Sequence, residues 1–393
     1  MTPAARVQSA IGLLDMIIAA ARAKSAPADR ILAEWFRSNR FAGSKDRRAI
    51  RELVYEAIRA CGPVPPSGRA ALLRLAQDDA ALGGLFDGSQ YGPAAIVDGE
   101  PAAEAGIAPG WLEQALAASQ IAGPEAAALL ERAPLDIRVN ALKASRDAIK
   151  LPVGAQPLSA PNGLRLPAGT PVEQWDAYRD GLIEVQDGGS QLACEAVAAR
   201  PGETVIDLCA GAGGKTLGLA AAMGNAGTLI AADTDRGRLS RLRPRAERAG
   251  ALVAETVLLD PGRELDALAK WRQSADAVLV DAPCSGTGTW RRSPEARWRL
   301  TPDDLDRFAK IQAQLLEIAS ELVAPERRLV YVVCSLLDAE GADQVAAFLA
   351  AHPGWRADRP KLPLGRARGT GLRLTPFHDA TDGFFIARLE KPC

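Results

Sequence analysis

TVIDLCAGAGGKT, residues 204–216, decides the fold. Three residues, Thr204, Val205 and Ile206, run into an acid, a glycine-rich turn follows, and the next residues suit a helix. A short continuous apolar run bounded by Gly and Asp reads as a strand buried on both faces, the kind found in parallel sheets. The pattern repeats downstream in TLIAAD (228–233), VAETVLL (253–259), AVLVDAP (277–283) and RLVYVVCS (328–335), and the chain ends with GFFIARL (383–389). Helical segments lie between most of these runs. Strands alternating with helices give a doubly wound α/β sheet. In such a sheet ligands gather beyond the carboxyl ends of the strands, so the residues at those ends are the ones to examine.

The glycine run admits three loops. A phosphate loop, GxxxxGK[ST], needs glycine at 209, where Cys209 stands; a dinucleotide fingerprint from Gly211 needs glycine at 216, where Thr216 stands. The third is the loop that passes under the methionine part of S-adenosylmethionine (SAM). Acids at three successive strand ends, Asp207, Asp233 and Asp260, favour it. An acid at the second strand tip can accept both ribose hydroxyls, and Asp260 is placed to meet the adenine. The alternative is that these acids only cap helices.

Upstream the pattern is helical to about residue 85, with loops near Ala26-Pro27 and at residues 62–66. Asp46 precedes an amphipathic helix, RRAIRELVYEAIRA. The apolar N-terminal stretch, residues 1–24, is broken by Asp15 and returns to charge at Arg22; it reads as an amphipathic helix, with a signal peptide as the alternative. Residues 86 to about 110 read as a Gly/Pro/Ala-rich linker, and the piece from there to 180 as a small α/β unit.

With 393 residues, 48% hydrophobic and 24% charged, the chain suits a globular protein of two or three domains. No uncharged run long enough to span a bilayer is present, so no membrane partner and a cytoplasmic location are expected. Net charge is -1, but residues 1–60 carry eleven Lys and Arg against six Asp and Glu. Residues 290–299 interleave Arg291, Arg292, Arg297 and Arg299 with Trp290 and Trp298, which suits either RNA contact by stacking and charge or a loop with two core tryptophans. Six cysteines include no CxxC pair and only two histidines accompany them, so no metal site is expected.

Two cysteines stand at strand ends: Cys284 in DAPCSGTG (281–288) and Cys334 in VVCS. Chemistry can use such a pair. Carbon 5 of cytosine is a weak nucleophile until a thiolate adds to carbon 6, and the adduct must later be expelled. One cysteine can begin this as covalent nucleophile and a second can promote release. A carboxyl such as Asp281 can hydrogen-bond N3, where charge develops.

On these motifs the chain resembles the Sun family of RNA cytosine-5 methyltransferases, of the RsmB type. DLCAGAGGKT resembles the family's cofactor loop, DAPCSGTG its proline-cysteine motif and VYVVCSLLDAEGADQV (330–345) its second cysteine motif. VQDGGSQLA (185–193), RVNALK (138–143) and the tail LTPFHDATDGFFIARL (374–389) resemble its remaining motifs, in order. FAGSKDRRAIRELVYEAIR (41–59) is similar to the NusB-like RNA-binding domain. The resemblance implies a Rossmann-like class I SAM-dependent methyltransferase domain over residues 181–393. A helical NusB-like domain would occupy 1–85, and a linker with a small α/β RNA-binding subdomain 86–180. It implies Cys334 as nucleophile, Cys284 as the residue assisting release, Asp281 on the cytosine and Lys215 beside the reacting groups. SAM would be held by Cys209, Ala210, Gly211, Ala212, Gly213, Gly214 and Lys215, with Asp233, Arg238, Asp260 and Asp281. The implied partner is RNA, 16S ribosomal RNA first and transfer RNA second; no oligomeric state is implied. Two positions depart from the family pattern: Gly211-Ala212 replaces an Ala-Pro pair, and Val333 replaces threonine.

Three other readings compete. A DNA cytosine-5 methyltransferase would use Cys284 as nucleophile and carry a Glu-Asn-Val tripeptide, which is absent. An ATPase lacks its first loop glycine and leaves Cys334 unexplained. An inactive RNA-binding assembly factor would keep the motifs without turnover.

Overall fold

The computed structural model describes residues 1–393 and divides into two compact units. The first comprises Met1–Arg132 together with Thr289–Thr301; the second comprises Ala133–Gly288 and Pro302–Cys393. The divisions expected at residues 85 and 180 therefore fall elsewhere. Residues 86–132 fold with the helices before them, and the small sheet beyond folds with the catalytic part.

The first unit is helical: α1 Pro3–Arg22, α2 Ala28–Ser38, α3 Ser44–Ala60 and α4 Gly68–Asp78. The Thr2 hydroxyl caps α1 by accepting from the Ala5 amide at 3.2 Å, and Pro3 opens the helix where its missing N–H is not needed. Val7, Leu14, Ile17 and Ile18 recur at helical spacing and are buried, so this long apolar helix is a core element. At Gly68 a Cβ would stand 2.2 Å from the Ile11 carbonyl oxygen, so glycine allows α4 to meet α1. Asp46 lies inside α3, at its third residue, and not before it. Its carboxylate accepts from the Gly43 amide at 3.1 Å and from Arg6 Nε at 2.8 Å, which holds it below the usual carboxylate range.

Residues 289–301 belong to this helical unit. Trp298 packs into its core and donates from Nε1 to the Gly62 carbonyl at 3.1 Å. Buried Arg297 donates to the carbonyls of Ile58 at 2.6 Å and Cys61 at 2.7 Å, closing the end of α3; burial pushes its guanidinium down to about 9. Glu295 accepts from the Ala28 amide at 3.0 Å, at the start of α2. Of the two readings of this Trp/Arg segment, packing is the one realised: Trp290, Trp298, Arg291 and Arg297 are all buried.

The second unit opens with a four-stranded antiparallel sheet of β1 Leu135–Val139, β2 Gln156–Pro157, β3 Gly163–Leu166 and β4 Ile183–Val185, in spatial order β2-β3-β1-β4. The large sheet contains β5 Thr204–Asp207, β6 Thr228–Asp233, β7 Glu255–Leu258, β8 Ala275–Asp281, β9 Val323–Val333, β10 Arg356–Ala357, β11 Arg366–Arg368, β12 Gly371–Leu374 and β13 Phe384–Glu390. Its order is β11-β12-β13-β9-β8-β5-β6-β7, with β10 paired to β13. β5 through β9 are parallel, while β13 runs antiparallel to β9. Two apolar cores fill its faces, one with Ile206, Val278 and Leu329, the other with Val205, Leu279 and Val330, as strand alternation requires. Chain order reverses between β5 and β8. That switch point opens a crevice at the carboxyl ends of both strands.

Candidate active site

The crevice collects the glycine loop after β5, the proline-cysteine loop after β8 and Cys334 after β9. The glycine loop turns through two left-handed residues, Gly211 (φ 55°) and Gly213 (φ 86°), before helix Gly214–Ala222 begins. A Cβ at Gly211 would lie 2.4 Å from Arg238 Nη2, and one at Gly213 would lie 2.8 Å from Leu242 Cγ. Glycine is needed for both conformation and room. Asp233 ends β6 and its Oδ2 accepts from the Gly211 amide at 2.7 Å, while Oδ1 accepts from the Asp235 amide at 2.7 Å. This carboxylate thereby ties the loop to the neighbouring strand tip.

Asp207 and Thr216 brace the same loop from beneath. The Thr216 hydroxyl donates to Asp207 Oδ2 at 2.7 Å, and Oδ1 has no partner. Burial pushes the Asp207 carboxyl up to about 7, and the nearby Asp281 and Asp233 charges add to the effect. Cys209 is a thiol pushed well above its ordinary range by burial and by the carboxylates of Asp281, Asp233 and Asp207. Asp260 lies two residues past β7 and is exposed; Arg238 is exposed, with its guanidinium over Gly211.

On the other side of the loop, Lys215 Nζ donates to Asp281 Oδ2 at 2.7 Å and lies 5.6 Å from the Phe384 ring centre. Burial opposes its charge, but Asp281 and the adjacent cysteines outweigh burial and hold the ammonium above its usual range. Cys284 and Cys334 stand with their sulfurs 3.4 Å apart. Cys284 is the thiol pushed well up, by its hydrogen bond to Cys334 and by burial. Val333 is fully buried in the apolar core, so the residue that departs from the family pattern packs and donates no hydrogen bond. All four expected catalytic side chains thus gather in one crevice. Sequence reading passed over Glu340, whose carboxyl group binds both cysteine-bearing loops; a lone acid in a turn carries no pattern that would single it out.

The strand order, the glycine loop at the switch point and the acid at the next strand tip define a class I SAM-dependent methyltransferase domain. The residues fit that cofactor: a loop whose left-handed turns leave no room for a Cβ at Gly211 or Gly213, an acid at the neighbouring strand tip and an unpartnered buried carboxyl oxygen on Asp207. The sequence profile of the family described as 16S rRNA methyltransferase RsmB/F matches residues 194–390, and the chain belongs to this family. It is 33% identical over 311 residues to the ribosomal RNA small subunit methyltransferase B of Sodalis glossinidius, covering 76% of this chain and 69% of that protein. To the probable ribosomal RNA small subunit methyltransferase B of Synechocystis it is 34% identical over 272 residues, 65% of this chain and 60% of that protein. The chain therefore spans somewhat under two thirds to about two thirds of these relatives' length. The solved structure of the protein PH0851 superposes with a TM-score of 0.79 at 26% identity, covering 100% of both chains.

Proposed function

We propose that the chain transfers a methyl group from SAM to carbon 5 of a cytosine in small-subunit ribosomal RNA, through a covalent cysteine adduct. The observation that carries this reading is the sulfur pair, 3.4 Å apart at the ends of adjacent parallel strands. Cys334 is taken as the attacking sulfur, as the family resemblance implies, with the Cys284 thiol, raised by its hydrogen bond to Cys334 and by burial, beside it. Addition of Cys334 to carbon 6 makes carbon 5 nucleophilic, and the Asp281 carboxylate, paired with Lys215, hydrogen-bonds the cytosine by accepting from its exocyclic amino group. When bound, SAM supplies an electrophilic methyl group on its sulfonium. After transfer, the carbon 5 proton passes to water, the electrons of that C–H bond re-form the ring double bond, Cys334 is expelled as a thiolate, and the Cys284 thiol assists by hydrogen-bonding to the departing sulfur.

Cys334→Ala is expected to form no adduct, and Cys284→Ala to accumulate a protein–RNA adduct that survives a denaturing gel. The reverse pattern would identify a DNA-type mechanism; full activity of both variants would overturn the assignment.

RNA contact is assigned to the helical unit. Between Trp35 and Arg51 the basic residues Arg37, Arg40, Lys45 and Arg48 are exposed, and Phe41 is 67% exposed among them. The one acid of the stretch, Asp46, is occupied by Arg6 and the N-terminal ammonium. Exposed cations beside an exposed aromatic ring, held edge-on by Trp35, suit phosphate contact with base stacking. Deleting residues 1–85 would strip the partners of Arg297 and Trp298, so charge reversal in the full chain is the cleaner test. Arg37→Glu with Arg40→Glu and Lys45→Glu is expected to weaken RNA binding and flatten its salt dependence by about 0.7–0.9 per lost phosphate contact. Unchanged affinity would remove the assignment.

A further inference from the structure

We propose that Glu340 and Gln312 are positioning residues that fix the two site cysteines relative to each other; this rests on the roles proposed above for Cys334 and Cys284. Glu340 lies six residues beyond Cys334, in the turn Asp338–Glu340, and is 0% exposed. A buried carboxyl group persists only where hydrogen bonds replace lost hydration. Here its partners come from both catalytic loops. Oε1 accepts from the Ser285 amide at 2.8 Å and from Gln312 Nε2 at 3.2 Å. Oε2 accepts from the Ser335 hydroxyl at 2.6 Å and from the Ser285 hydroxyl. Gln312, on helix Pro302–Leu322, also donates to the Pro283 carbonyl at 2.9 Å.

The residue after Cys284 and the residue after Cys334 are thus tied directly to one carboxyl group, and Pro283, before Cys284, is tied to it through Gln312. Tyr331, on β9, anchors the clamp by donating from its hydroxyl to the Glu340 carbonyl at 2.6 Å. The two loops depend on it unequally. Cys334 directly follows a strand paired on both sides, whereas Cys284 lies three residues past the end of β8. Loss of the clamp therefore releases chiefly Cys284, the residue that assists product release. The chemistry of the partners also predicts which replacement is tolerated. Oε1 faces two N–H donors and must remain an acceptor. Oε2 faces two hydroxyls, which can rotate and accept instead. Glu340→Gln preserves every bond, whereas Glu340→Ala removes all four.

The test uses the full chain and two readouts, with SAM affinity as the check of folding. The first is closure of the Cys284–Cys334 disulfide by 2,2′-dithiodipyridine. One thiolate displaces a thiopyridone, and the second then displaces the other from the mixed disulfide. Mass spectrometry of the cross-linked peptide follows the rate. Wild type and Glu340→Gln are expected to close equally fast, and Glu340→Ala at least about tenfold more slowly, because misplacement of about 1 Å costs that much or more. Gln312→Met, which keeps volume and loses both donors, is expected to slow closure in the same direction should Glu340→Ala fail to fold. The second readout is the RNA adduct on a denaturing gel, expected to accumulate in Glu340→Ala but not in Glu340→Gln. Closure in folded Glu340→Ala or Gln312→Met as fast as in wild type overturns the proposal, as does Glu340→Gln closing as slowly as Glu340→Ala. Slowed closure without any adduct in a Cys284→Ala control leaves the clamp standing and refutes the cysteine roles instead.

Discussion

Replacing Asp207 with asparagine should remove a loss of stability that the protein suffers as pH rises from about 4 to about 7. The Asp207 carboxyl is fully buried, one oxygen has no partner, and its native value is pushed up to about 7 from an ordinary 3.8. Between those values the unfolded chain has released the proton and the native protein still holds it. The native state binds more protons there, so stability falls as pH rises. Below 3.8 both states are neutral and above 7 both are ionised, so the loss is confined to that window. Three units at 1.36 kcal/mol each amount to about 4 kcal/mol. Asparagine can still accept from the Thr216 hydroxyl, while its amide nitrogen lacks an acceptor and costs roughly 1–3 kcal/mol at every pH. The offset is constant and the slope is not, so the difference between the two proteins isolates Asp207. Urea unfolding of wild type and Asp207→Asn in steps from about pH 4 to pH 8 measures it. The stability of wild type relative to the variant is expected to fall by about 4 kcal/mol across that range. A flat difference curve would show that Asp207 is ionised in the native state and would refute the reasoning.

Gly211→Ala places a Cβ 2.4 Å from Arg238 on a backbone at φ 55°, and is expected to weaken SAM binding by about 1–3 kcal/mol in calorimetry, with partial recovery when Arg238→Ala is added. Lys215→Met leaves the Asp281 carboxylate without its 2.7 Å partner; with that side chain 30% exposed, a loss of about 2 kcal/mol in unfolding stability is expected, below the range for a fully buried pair. Arg297→Met strips the donor from the Ile58 and Cys61 carbonyls and is expected to destabilise the helical unit by roughly 2–4 kcal/mol, read from the unfolding midpoint.

The strands were legible because a buried parallel strand leaves an uninterrupted apolar run, and the cysteines because they stand where such runs end. The membership of residues 289–301 was not legible. Tryptophans among arginines look alike in composition whether they stack on bases or, like Trp298 and Arg297, fill a core and cap carbonyls. β4 was placed past a domain boundary because three residues are too few to show a period, and its pairing with β1 exists only in space. Asp46 reads as preceding its helix because the apolar pattern begins after it, yet Ser44 and Lys45 already belong to the helix. Glu340 escaped notice because its significance lies in Ser285, which is 55 residues away along the chain.

The contribution of residues 289–301 to the helical unit has a consequence for synthesis. Residue 132 leaves the ribosome 157 residues before Thr289 does. At about 5–20 residues per second the helices wait roughly 10–30 s for the segment that completes them. Throughout that interval the carbonyls of Ile58 and Cys61 lack their guanidinium and the groove that receives Trp298 stands open to solvent. The domain made first is therefore among the last to finish folding, and its exposed groove is where a chaperone would find the nascent chain.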